Sequence, residues 1–221
     1  HYDIRFKEKI TIKMILMHRA GSFDLSNQLI PDTDATHGKP YVGWNYLGYV
    51  MTLENDEEHQ FTFDELFGFI AENNLYNFEP TYDTYSYSDT AYCLLGAIIE
   101  RISRKTFEEF IHDEILQPNS FNNTTLPWKG DDRTLPVPFV TGYTWENGTI
   151  TDKTLSNMSP FVANGNIIST PLELATWAKR LFTGKTALTM DTINMMMTCL
   201  QEKAGSTSKY GLGIDYSPSR G

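Results

Sequence analysis

Tyr85-Ser86-Tyr87-Ser88-Asp89-Thr90-Ala91-Tyr92-Cys93-Leu94-Leu95-Gly96-Ala97-Ile98-Ile99-Glu100 is the stretch around which the chain reads most clearly. A polar, aromatic segment passes directly into an apolar one. Leu94, Leu95, Ile98, Ile99 and Ile102 recur at helical spacing and predict a helix from about Thr90 to Ser103 with one buried face. Ser88, Asp89 or Thr90 can each cap its first turn. Tyr87 falls just ahead of that helix, where a phenol can be held at fixed geometry. Taken alone, the stretch reads as a capped helix with a packing tyrosine before it reads as a chemical site.

Working outward, Thr106-Phe107-Glu108-Glu109 reads as a capping box opening a second helix, with Phe107, Phe110, Ile111, Ile115 and Leu116 as its apolar stripe and Pro118 as its end. Upstream, Thr62-Phe63-Asp64-Glu65 is a capping box for a helix carrying Phe63, Leu66, Phe67 and Ile70, ending near Asn73-Asn74. Further upstream, residues 10–18 predict a short helix with Thr11 as N-cap and Gly21 as stop. Between them, residues 22–60 are broken by Pro31, Gly38, Pro40, Gly43 and Gly48. The aromatics Tyr41, Trp44, Tyr46 and Tyr49 in that span argue for a packed loop rather than disorder.

Downstream, residues 117–160 are rich in Pro, Gly, Asn and Thr. Val137–Val140 and Tyr143–Trp145 look like short strands, and Asn147-Gly148 is a hairpin turn signal. Thr170-Pro171-Leu172-Glu173 is a third capping box, before a helix expected to bury Leu174, Trp177, Ala178 and Leu181 and to stop at Gly184. A Met-rich helix follows from Thr189 to Leu200. Residues Lys209–Ser217 read as one strand.

The 221 residues are 40% hydrophobic and 21% charged, which is ordinary globular composition. The formal charge of -10 comes without any Lys/Arg cluster, which argues against a nucleic-acid partner. Glu54–Glu58 and Glu108-Glu109 read as solvated surface. No apolar run reaches the roughly 18 residues of a transmembrane segment, and residues 1–7 do not read as a signal peptide. Cys93 and Cys199 fit no metal spacing, and no His-Glu-x-x-His pair exists, so neither a metal nor a cofactor is expected. Cys93 is expected as a buried thiol, and a Cys93–Cys199 disulfide stays open.

Three chemical motifs fail on context. Gly184-Lys185-Thr186 lacks the upstream glycine of a phosphate loop, since Lys179 stands there. Gly-x-Ser-x-Gly is absent. Ser206-Thr207-Ser208-Lys209 matches Ser-x-x-Lys formally, but it lies in a Gly/Ser loop rather than at a helix start.

Five segments then fall into one order. Residues 10–21 resemble the "ITIRxLLTHTSG" segment of the serine β-lactamase and penicillin-binding-protein-like family, which includes class C β-lactamases, D-Ala-D-Ala carboxypeptidases and related esterases. Residues 85–102 resemble its "FxYSNxGYxLLGxIIE" stretch, and residues 107–118 its "YEEYIxxxILxPLGM" helix. Gly142-Tyr143 with residues 165–170 resembles "GY … GGLxST", and residues 210–213 resemble "YGLGW".

The resemblance implies an α+β chain, mainly α, holding the helical domain of the β-lactamase/transpeptidase-like fold. The first strand of the α/β-domain sheet is expected at its C-terminal end. It divides the chain into a helical domain at 1–165 and a returning segment at 166–221. It implies a serine hydrolase that transfers an acyl group to water from a D-amino-acid peptide, β-lactam or ester through an acyl-enzyme. The alternative is a non-catalytic relative that binds a cell-wall peptide or protein partner. Tyr87-Ser88-Asp89 occupies the family's Tyr-x-Asn motif, so Tyr87 is the expected proton-transfer residue.

Asp89, in place of Asn, is the second candidate. An ionised Asp accepts hydrogen bonds but cannot donate to a substrate carbonyl, so its presence leans away from efficient β-lactam turnover. Asp89 reads equally as the helix N-cap. The family's Ser-x-x-Lys and Lys-Thr-Gly motifs are expected outside this chain, which alone is expected to be inactive and prone to self-association through exposed apolar area. A periplasmic or extracellular location is implied by the resemblance alone. Trp44, Tyr46 and Tyr143 read as packing aromatics, with cleft-lining as the other use for them.

Overall fold

A computed structural model describes residues 2–146 and 148–218. The first helix, α1, spans Ile12–Leu16, and Thr11 caps it by accepting from the Met14 N–H at 3.2 Å. The expected stop at Gly21 comes earlier: His18 takes a left-handed φ of 54° and turns the chain out of the helix. The following loop contains α2 (Tyr46–Gly48) and a π turn at Tyr49–Leu53. It is packed, as its aromatics predict: Phe23, Leu25, Ile30, Leu47 and Val50 are buried with Phe61, Leu66 and Phe67 in the main core.

Helix α3 is Phe63–Glu72 and α4 is Asp89–Ser103. Of the three cap candidates the N-cap is Ser88, whose Oγ accepts from the Ala91 N–H at 3.1 Å, so Asp89 is not the cap. The buried residues of α4 also differ from the predicted apolar stripe. Thr90, Ala91, Cys93 and Gly96 are buried, whereas Ile102 is 78% exposed. The helix packs through small side chains: a Cβ on Gly96 would stand 2.6 Å from Ala163 Cβ and 2.7 Å from the Phe63 ring.

Helix α5 (Phe107–Ile111) continues through a π turn at His112–Leu116 into α6 (Gln117–Asn119). Pro118 therefore does not end the helix. It sits at the start of the last turn, where a missing N–H is tolerated. Phe107, Ile111 and Leu116 bury against Phe121 and Leu126 in a second core.

Strands β1 (Tyr143–Glu146) and β2 (Thr149–Asp152) form an antiparallel hairpin, with Tyr143 opposite Asp152. Asn147 of the predicted turn lies outside the described residues. Val137–Val140 is irregular rather than a strand.

Helix α7 (Pro171–Phe182) buries Leu181 but leaves Leu174 60% exposed and Ala178 exposed. No packed layer covers that side of α7 among the described residues. Gly184, at φ 67°, follows it. Helix α8 spans Met190–Met196, shorter than expected.

Strand β3 (Leu200–Gln201) begins where the Met-rich helix is expected to end, and the predicted C-terminal strand is instead two short strands, β4 (Lys209–Tyr210) and β5 (Asp215–Tyr216); the three form an antiparallel sheet of order β3-β4-β5. Gly213, at φ 75°, lies in the turn that breaks the run in two. The chain is mainly helical with small sheets, an α+β arrangement. Among the described residues no helix is long and apolar enough to cross a membrane.

Two expected capping boxes are only half formed. Thr62 and Thr170 accept from the N–H of Glu65 and Glu173. The Glu65 carboxylate instead accepts from Tyr46 Oη at 2.8 Å and pairs with His59 Nε2 at 2.9 Å. Glu173 accepts from Asn123 and Thr124. Only the box at Thr106 and Glu109 closes both ways.

Candidate functional site

Tyr87 ends the loop that runs from α3 to α4. That loop is laced to residues 18–22. Asn77 N–H donates to Gly21 O at 2.8 Å, Thr81 N–H to Arg19 O at 3.2 Å and Ser86 N–H to His18 O at 3.0 Å. The Asn77 side chain donates to Ser22 O and Ser86 Oγ, both at 3.0 Å. Gly21 has φ 67°, and a Cβ there would run into the Phe78 backbone, so the close approach needs glycine. The result is a fixed platform ahead of α4 on which Tyr87 stands 46% exposed.

Asp89 begins the helix and lies beside Tyr87. The phenol and the Asp89 carboxylate act on each other's ionisation. Partial burial is the largest cause raising the Tyr87 pKa well above that of a free phenol, followed by Asp89 and then by smaller effects that include Asp24. Asp89 itself is pushed up, first by burial and also by Asp24, while Tyr87 and Asn27 pull the other way. Asn27 Nδ2 links the two carboxylates, at 3.0 Å from Asp89 Oδ2 and 2.9 Å from Asp24 Oδ2.

The two predicted residues are therefore adjacent, and the structure adds neighbours that the sequence did not single out. Asp24 is 1% exposed. His18 is 2% exposed, and its ring centroid lies 4.3 Å from that of Tyr87. Tyr92 and Tyr210 lie 5.0 and 4.7 Å from the same imidazole. Arg19, buried, donates to Gln201 O and has its guanidinium 5.4 Å from the Tyr85 ring. His18 and Tyr210 both fall inside the motif segments quoted above, so motif order was the available signal for them. Nothing local in the sequence marks Asp24 or Asn27.

Trp44, Tyr46 and Tyr143 lie elsewhere. Tyr46 stacks on Phe69 at 4.0 Å in the main core, Trp44 is part-exposed on the long loop, and Tyr143 is on the hairpin. A cavity of about 220 Å³ between Phe61, Phe63, Cys93, Phe107 and Pro160 does not include residues 85–89. Both cysteines are free. Among the described residues no group of three His, Cys, Asp or Glu could hold a metal.

Comparison with solved structures finds this fold in longer chains. A D-stereospecific amidohydrolase from Streptomyces sp. superposes with a TM-score of 0.74 at 24% identity, over 94% of this chain and 56% of its own. The D-amino acid amidase from Ochrobactrum anthropi SV3, complexed with L-phenylalanine amide, gives 0.69 at 21% identity, over 96% of this chain and 55% of its own. The penicillin binding protein from Bacillus halodurans gives 0.67 at 18% identity, over 97% and 60%. The chain thus spans little more than half the length of these structures. Its sequence matches the beta-lactamase family over residues 2–221, all but the first residue, and on that match the chain belongs to the beta-lactamase family.

Proposed function

We propose that this chain is the tyrosine-bearing part of a longer serine hydrolase, which transfers an acyl group to water from a D-amino-acid peptide or amide, a lactam or an ester. The observation that carries the reading is the half-exposed Tyr87 phenol, held beside Asp89 on a fixed platform; the sequence resemblance is what assigns Tyr87 to the family's Tyr-x-Asn motif.

In this reading, Tyr87 as phenolate takes the proton of a serine hydroxyl while the serine oxygen bonds to the substrate carbonyl carbon. The adduct collapses to an ester as the bond to the leaving group breaks. Tyr87 then returns the proton to that leaving group, and a water molecule repeats the sequence to release the acid. Burial, Asp89 and Asp24 all hold Tyr87 protonated, so base action needs positive charge brought beside the phenol. The lysine of a Ser-x-x-Lys motif, supplied with the serine by residues outside this chain, fills that need. The same reading puts the protein in the periplasm or outside the cell.

The test uses the full-length protein. A fluorophosphonate or β-lactam probe labels a single serine, and Tyr87→Phe slows that labelling by roughly 10²-fold or more. Unchanged turnover in Tyr87→Phe removes Tyr87 from the mechanism. Peptide binding without labelling of any serine supports the non-catalytic alternative.

A further inference from the structure

His18 holds Tyr87 from both sides. Its carbonyl oxygen accepts from the Ser86 N–H at 3.0 Å, and its ring Nδ1 accepts from the Ser88 N–H at 3.2 Å. The two backbone groups flanking Tyr87 are thus tied to one residue. The Tyr87 ring then lies over the His18 ring, with centroids 4.3 Å apart and planes 39° apart. We infer that His18 is the positioning residue for Tyr87, a neutral imidazole whose ring, Nδ1 and carbonyl together set where the phenol points. This inference rests on the proposed role of Tyr87.

Several features of His18 fit this task. Its left-handed backbone, φ 54°, brings carbonyl and ring to the same neighbouring segment, and His is among the residues that tolerate that region. Because Nδ1 accepts, the ring proton sits on Nε2. That Nε2 is buried without a hydrogen-bond partner among the described residues. An unpaired buried N–H is a cost that a purely packing residue such as Phe would avoid. Tyr85, Tyr92 and Tyr210 close around the imidazole at 5.8, 5.0 and 4.7 Å, leaving the ring little room to turn. Ser88 passes the constraint on: it also caps α4 and donates to Phe23 O at 3.2 Å. The tyrosine is thereby registered against both the helix and the main core.

Two variants of the full-length enzyme separate the parts. His18→Phe keeps a flat ring but removes the acceptor for Ser88. His18→Asn places an amide oxygen close to where Nδ1 stands. His18→Phe is expected to lower kcat about tenfold or more with KM within about twofold, and His18→Asn to recover part of that loss. In a Tyr87→Phe background, His18→Phe should cost nothing further. Unchanged kcat in folded His18→Phe overturns the inference, as does an undiminished loss in the Tyr87→Phe background.

If His18→Phe does not fold, the wild-type protein still decides. Nitrogen NMR should show an unprotonated Nδ1 coupled across a hydrogen bond to the Ser88 amide, and a protonated Nδ1 overturns the inference. Silence of Tyr87→Phe alone would defeat the proposed function instead. The Tyr87 side-chain rotamer, read from coupling constants in folded His18→Asn, then still reports whether His18 orients the ring, and a Tyr87 rotamer unchanged in both His18→Asn and His18→Phe overturns the inference.

Discussion

Asn27 donates from Nδ2 to Asp89 at 3.0 Å, across 62 residues of sequence, and so fixes the carboxylate that stands beside Tyr87. The same nitrogen reaches Asp24, so two acidic groups share one neutral donor. This arrangement makes the surroundings of Tyr87 acceptor-rich. An Asn at position 89 could still accept from Asn27 and could also offer an N–H to a substrate carbonyl.

Under the proposed function, Asp89→Asn in the full-length protein is therefore expected to raise kcat/KM for β-lactams bearing an acylamino side chain. The gain should approach about tenfold, the worth of one well-placed hydrogen bond. Substrates lacking that side chain should gain less. Equal falls for both kinds of substrate would show that the carboxylate itself is needed.

Two histidines predict opposite responses to pH. Burial pulls the His18 pKa down to about 4. The unfolded state therefore binds a proton that the folded state does not, between about 6.5 and 4. Stability should fall as pH drops through that window, by on the order of 3 kcal/mol for the full shift. Burial also lowers His59, but its hydrogen bonds to Glu65 and Asp56 outweigh this, and its net shift is upward. Its contribution is complete below the unfolded value near 6.5 and is lost as pH rises through the folded value. Thermal midpoints across pH 4–9 check both signs: His59→Gln should flatten the decline above pH 6.5 and leave the acid limb in place.

Gly96→Ala weighs two effects of known size. Alanine favours a helix over glycine by about 1 kcal/mol. The new methyl would meet Ala163 and Phe63 at 2.6 and 2.7 Å, and such overpacking costs roughly 1–3 kcal/mol. A net loss is expected, read as a lower denaturant midpoint. A gain in stability would show that the loop carrying Ala163 yields easily.

The capping sequences at the starts of α5 and α3 should respond differently to truncation. Thr106→Ala is expected to cost about 1 kcal/mol, and Glu109→Ala a further part of the same box. Glu65→Ala should leave the start of α3 nearly intact, because Glu65 serves Tyr46 and His59 instead. It should reduce the His59 contribution to stability below pH 6.5, leaving the part that Asp56 supplies. Urea titrations at pH 6 and pH 8.5 separate the two effects.

Much of the helical framework was legible from the residues. Thr11, Thr62, Ser88, Thr106 and Thr170 each cap a helix, and each cap spans only three residues of chain. The order of five motif segments carried the family, which the match over residues 2–221 bears out. Less legible were the element ends: Pro118 was absorbed by a π turn, and Gly213 split the last strand.

What the sequence by itself determined was local: which residues start helices, the acidic character of the composition, and a tyrosine placed just before a helix. Only the tertiary structure decided what surrounds that tyrosine. The ties from His18 to Ser86 and Ser88, the Asn27 bridge to Asp89, and the packing of Gly96 on Ala163 join residues some 60 to 70 positions apart. Periodicity and capping report contacts within one or two turns of chain. They say nothing of which glutamate will find a better partner elsewhere, or which histidine will be buried neutral against a phenol, because those outcomes depend on segments that meet only when the core closes.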